Sequence, residues 1–122
     1  MSDRTPRDRL LRKSERGFQG YPLGTVAFYG PDNARATKVA VGIVHKEGGD
    51  AREMEKWLSE VTDVREDEVI GGQVLAFLQR HSVRTVVVGP GILGCPHEEG
   101  IDYPNDGVCP RCPYWAGRER PI

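Results

Sequence analysis

Four residues near the C-terminus have the types and spacing to bind a metal. Cys95-Pro-His97 is followed, with eleven residues between, by Cys109-Pro-Arg-Cys112. Three thiolates and one imidazole make up the donor set of a tetrahedral structural zinc site. The segment between the two pairs carries Gly100, Pro104, Asn105 and Gly107. These residues deny it helix or strand, so a metal is what would hold it folded. All three cysteines of the chain fall in this stretch, their number is odd, and two form a Cys-x-x-Cys. That usage suits a reducing compartment and a metal better than a disulfide framework. The expected cofactor is one zinc ion held by Cys95, His97, Cys109 and Cys112.

Catalytic zinc is the rival reading. His97-Glu98-Glu99 followed by a Cys-x-x-Cys superficially matches the His-x-Glu and Cys-x-x-Cys of zinc deaminases, whose glutamate shuttles a proton to metal-bound water. Three features count against it. The linker cannot be helical, Val108 stands where that signature has proline, and Cys95 supplies a fourth ligand that closes the position catalysis needs open. In this alternative, a small hydrolase or deaminase-like enzyme would use Glu98 or Glu99, with His45 near the metal. Two further motifs are less specific. Gly89-Pro-Gly-Ile-Leu-Gly94 has the form of a dinucleotide fingerprint, but no helix pattern or acidic ribose ligand follows, so it reads as the exit from a strand. Tyr114-Trp115 with Arg111, Arg118 and Arg120 could stack on bases as zinc knuckles do. The acids Glu98, Glu99, Asp102 and Asp106 oppose that use.

The elements that must position these residues read as β-β-α-α-β. Leu23–Tyr29 and Thr37–His45 are rich in β-formers on either side of the turn Gly30-Pro-Asp-Asn33, which predicts an antiparallel hairpin. Asp50 and Glu53 form a capping-box pattern ahead of Met54, Trp57, Leu58 and Val61, spaced for one amphipathic helix. Glu66, Asp67 and Glu68 open a second, whose stripe is Val69, Ile70, Val74, Phe77, Leu78 and His81. Val83–Val88 is an apolar run typical of a central strand. The fold expected is a small α/β (α+β) domain with a three-stranded mixed sheet and a C-terminal zinc loop. Residues 1–20 would be a mobile basic arm, 21–94 the core, and 95–122 the knuckle and tail. If helices join strands two and three, those strands are parallel, and the metal loop lies beside His45 and Lys46 with the Gly30–Asn33 turn at the far edge.

Charge and hydropathy narrow the function classes. Residues 1–16 hold six bases against three acids, a net of +3, and residues 46–68 hold nine acids against four bases, a net of −5. An acidic surface repels a nucleic-acid backbone, so polyanion binding would have to come through the arms. No apolar run approaches the roughly 18 residues of a membrane span, and the first residues lack the apolar region of a signal peptide. A cytoplasmic protein is expected. Gly24-Thr-Val-Ala-Phe-Tyr-Gly-Pro-Asp32, Gly94-Cys-Pro-His-Glu-Glu-Gly100 with Asp102-Tyr-Pro104, and Cys109-Pro-Arg-Cys-Pro-Tyr-Trp115 resemble the signatures of a family of short bacterial proteins. The resemblance spans roughly Gly24 to Gly117. It implies a bacterial cytoplasmic setting and a metal loop integral to the domain, and it assigns no reaction. The reading favoured is a binding or regulatory module with structural zinc, its partner a protein or a nucleic acid.

Overall fold

The computed structural model describes residues 12, 14–97, 101, 112 and 114. Among them the element order is β1 (Leu23–Tyr29), β2 (Lys38–Val44), β3 (Ala51–Leu58), α1 (Glu68–Arg80) and β4 (Thr85–Ile92). The four strands form one mixed sheet in the order β3-β2-β1-β4. The expected hairpin is present, with Val26 opposite Val41 and Phe28 opposite Val39. β2 is apolar on both faces and buried along almost its whole length, so it needs a neighbour on each edge. β1 supplies one and β3 the other, antiparallel on both sides.

The segment expected to be the first helix is therefore β3. Its composition satisfies two periods at once. Read by twos, Glu53 and Trp57 are half-buried on the helix-covered side, and a bulge at the start of the strand turns Ala51 to the other face beside Gly42. Met54 and Leu58, the intended helical stripe, are 57% and 67% exposed on the other, and Val61 beyond them is 90% exposed. Pairing with β2 satisfies the backbone of both strands, and that gain overrides a capping-box signal made of weak local preferences. Trp57 still reaches the core, edge-on to Phe77 with ring centroids 6.0 Å apart.

The second expected helix forms, except that Val69, read as part of its buried stripe, is 70% exposed. Asp67 caps it, its Oδ1 accepting from the Val69 and Ile70 backbone N–H groups at 3.0 Å each. Val74, Leu75, Phe77 and Leu78 are buried, and His81 ends the helix with its ring 4.6 Å from that of Phe77. The core lies between α1 and one face of the sheet, where Val26, Val39, Val41, Ile43 and Val86 meet this stripe. Val41 and Ile43 have no measurable exposure. Burying each contributes about 1.5–3 kcal/mol. The helix comes so close to β1 that a Cβ on Gly24 would lie 2.5 Å from Leu78 Cδ2.

The last strand departs from expectation in partner and in length. β4 pairs parallel with β1, not with β2, so the α1 crossover spans two strands and β4 runs against β2. It also continues through Gly89-Pro-Gly91 to Ile92. The register with β1 shifts between Val26 and Phe28, and Gly91 has φ +64°. An edge strand tolerates such a proline and such a bulge where a central one would not. The dinucleotide-like motif is thus a bulged strand end. At the other end of β4, Gln19 N–H donates to Thr85 Oγ1 (2.8 Å) and that hydroxyl donates to Gly20 O (2.6 Å), which ties residues 19–20 to the sheet. Residues 1–11 and 13 lie outside the described residues, as does their role as a mobile arm. No helix among the described residues is long and apolar enough to cross a membrane.

Candidate metal centre

The altered topology decides which end of the sheet carries the metal residues. β4 runs beside β1 in the same direction, and its ladder continues past Ile92: Leu93 N–H donates to Phe28 O and Gly30 N–H to Gly94 O, both at 2.8 Å. These bonds deliver Cys95 to the end of the sheet where β1 and β3 finish and β2 begins. The Gly30–Asn33 turn is at this end, whereas it was expected at the far edge. Gly30 is obligatory there, since a Cβ would fall 1.9 Å from Arg35 O. Asp32 Oδ1 orders the turn by accepting from Ala34 N–H (2.8 Å) and Arg35 N–H (3.2 Å).

Cys95, His97 and Cys112 converge here. One donor atom from each lies within 4.8 Å of the other two. His97 Nδ1 is 3.2 Å from Cys95 Sγ and 3.5 Å from Cys112 Sγ. A zinc ion with bonds of about 2.3 Å to sulfur and 2.0 Å to nitrogen sets an S···N edge of roughly 3.5 Å in a regular tetrahedron, so the observed spacing already approximates a metal's first coordination sphere. The His97 backbone N–H donates to Cys95 Sγ (3.2 Å), which favours the thiolate form a metal requires. Both cysteines are buried, Cys112 to 1% exposure. The arrangement can hold a metal ion. Cys109, the fourth expected ligand, lies outside the described residues, as do Glu98 and Glu99.

Lys38 supports the cluster and was not singled out in the sequence. It opens β2 on the sheet face away from α1 and is 7% exposed. Its Nζ donates to Pro96 O (3.0 Å), in the middle of the Cys95–His97 turn, and stands 5.6 Å from the centre of the Tyr29 ring across the hairpin. A buried ammonium is costly unless compensated, and a carbonyl and an aromatic face supply compensation here. A single lysine opening an otherwise apolar strand was the signal available in the sequence.

His45 is displaced from this centre. It follows β2 at the opposite end of the sheet, roughly 20 Å from Lys38 by strand geometry. Its Nε2 is 2.7 Å from Glu53 Oε2, clipping the β2–β3 connection. The hydrogen bond with His45 holds the Glu53 carboxyl below its ordinary range. The expectation that His45 and Lys46 adjoin the metal loop fails because β4 joins the sheet on the β1 side.

A second anchor flanks the metal end. Asp63 accepts from Ala36 N–H (3.1 Å) and Arg65 N–H (2.9 Å), and pairs with the Arg65 guanidinium at 2.7 Å. Burial pushes its pKa up, but the Arg65 guanidinium and the two backbone donors prevail and hold it at about 2. Arg65 also donates to Ala34 O (3.2 Å), which fixes the Asp32–Ala36 turn beside the cluster. Comparison with family models, with curated proteins and with solved structures finds no match, so the functional reading rests on these residues themselves.

Proposed function

We propose that the chain is a zinc-binding module in which Cys95, His97, Cys112 and Cys109 hold one structural zinc ion that pins the C-terminal segment to the end of the sheet. The observation that carries this is the convergence of two thiols and one imidazole at near-tetrahedral spacing. Cys112 is separated from His97 by 14 residues, so chain connectivity alone does not bring them together. Zinc is preferred because borderline-soft thiolate and imidazole donors in a closed set of four suit it best. With three thiolates the site is net negative, and the buried Lys38 ammonium beside it is the matching counter-charge. The donor set favours a reducing, cytoplasmic setting, in line with the resemblance to short bacterial proteins.

A structural site has four protein ligands and no open position, which makes the module a binding or regulatory one and not a catalyst. The hydrolase alternative loses His45, which stands at the opposite end of the sheet. The experiment is zinc stoichiometry and thermal stability of the purified chain, wild type against Cys109→Ser. A structural site predicts one zinc per wild-type chain and, in the variant, loss of metal with early melting. Retention of zinc and normal folding in Cys109→Ser would mean three protein ligands and an open position.

A further inference from the structure

On the helix-covered side of the sheet, at the end where β1, β3 and β4 finish, there is a cavity of about 100 Å³. Buried Phe28, Val39 and Val74 form its interior, and partly exposed Ile70, Gly71 and Val88 form its mouth at the seam between α1 and β4. Lys38 and the Cys95–His97 turn it braces are on the other face, so the cavity is no part of the metal cluster. We infer that this cavity binds an uncharged apolar group about the size of a benzene ring or a short branched alkyl chain, either a whole small molecule or the buried end of one.

Position 71 carries the argument. Val74, Leu75 and Leu78 are buried residues of α1, and position 71 stands three, four and seven residues before them, on the same face. An apolar side chain there would complete the core. The chain instead places a glycine, which weakens a helix interior relative to alanine, and that glycine lines the cavity. Gly89 and Gly91, from the motif shaped like a dinucleotide fingerprint, thin the opposite wall, and a Cβ on Gly91 would meet nothing within 4 Å. Protein interiors are close-packed and voids larger than a water molecule are few. An apolar void gives water too few hydrogen bonds, and one of about 150 Å³ lined by Leu, Ile and Phe stays dry and takes up benzene or xenon. The polar groups around this cavity are committed, which sets the charge of the ligand. Arg65, the one charged residue among its described lining residues, pairs with Asp63 and donates to Ala34 O. Asp67 occupies the Val69 and Ile70 N–H groups, the helix donors that a phosphate or carboxylate would need. The cavity also lies at the carboxyl edge of the parallel pair β1 and β4, where open α/β sheets bind their ligands.

The test titrates the full chain with benzene and follows backbone amide shifts, with zinc content measured in the same sample so that the metal reading is judged separately. Expected is saturable binding, with shifts concentrated at residues 28, 64, 70–74 and 88–91. Gly71→Leu fills the cavity from the helix and Val88→Phe fills it from the sheet, and each should weaken binding about ten-fold or more. Gly72→Ala is the control. It strengthens the helix, its Cβ meets nothing within 4 Å, and it should bind benzene as wild type does. If one filler fails to give a native amide spectrum the other decides, and if both fail the location of the wild-type shifts decides. Absence of saturation up to the solubility limit of benzene overturns the inference, as do shifts centred away from these residues. Wild-type affinity in a folded Gly71→Leu or Val88→Phe variant overturns it too.

Discussion

The two ends of the sheet each bring a histidine close to an acidic or sulfur partner, and only one end is built to keep such a group from water. At the end where β2 leads into β3, His45 and Glu53 meet at 2.7 Å with side chains 41% and 39% exposed, on adjacent strands joined by a short connection. At the metal end, Cys95 and Cys112 are buried, His97 stands between them, and a buried lysine braces the turn from a third segment. A surface pair of the first kind is weakened by solvent and salt. The second collects donors that are distant in sequence, and this is worthwhile only if something binds them. Structural zinc contributes on the order of 10–16 kcal/mol of apparent binding free energy, ample to order a loop of glycines and prolines. Proximity of a histidine to a carboxylate therefore identifies no site in this chain; burial and sequence separation of the donors do.

The largest expected effect follows from removing a ligand. Cys112→Ser should abolish stoichiometric zinc and lower the melting temperature by about 10 °C or more, at roughly 4–8 °C per kcal/mol for a domain near this size, read by mass spectrometry and differential scanning calorimetry. Chelator should lower the wild-type melting temperature by a similar amount and leave the variant unmoved. Next comes Lys38→Met, which keeps the volume but removes the charge and the bond to Pro96 O. Zinc affinity should fall 10- to 100-fold in competition with a chromogenic chelator, the usual consequence of losing an outer-shell partner.

Asp63→Asn gives a smaller and pH-dependent effect. The folded pKa of Asp63, about 2, lies below the ordinary 3.8, so the carboxylate contributes stability above pH 3.8 and loses it as pH falls toward 2. The shift corresponds to about 2 kcal/mol at most, reduced by partial exposure. Wild type should exceed Asp63→Asn in melting temperature at pH 6, and the gap should close progressively between pH 4 and pH 2. A gap that persists at pH 2 would show that the carboxylate's charge is not what anchors the turn. The smallest effect belongs to the His45 end. His45→Ala should leave zinc stoichiometry and chelator sensitivity unchanged; a loss of metal there would break the contrast between the two ends.

Much of this was legible in the residues, and the failures have one source. Asp67 with the Val74–Leu78 stripe identified α1, since capping and a 3.6 period agree there. β1 and β2 were legible because β-formers flank a turn-rich break. Segment 51–58 was not, because Met54, Trp57 and Leu58 fit a helical stripe while Arg52, Met54, Lys56 and Leu58 equally fit one face of a strand. The need of β2 for a second neighbour decided between them, and that need is tertiary. The same missing strand misdirected the topology. With β3 occupying the outer edge of β2, β4 pairs with β1, which carries Cys95 and His97 to the Gly30 end and away from His45. That Cys95, His97 and Cys112 could share a metal was legible from spacing and donor type alone, whereas Lys38 acquires its place only from the sheet end that gathers it.

The central claim is tested most directly by native mass spectrometry of the purified full chain, wild type and Cys95→Ser. The account predicts one zinc per wild-type chain, none retained by the variant, and a variant that melts early. A wild-type chain that carries no metal after expression in zinc-replete medium would contradict it.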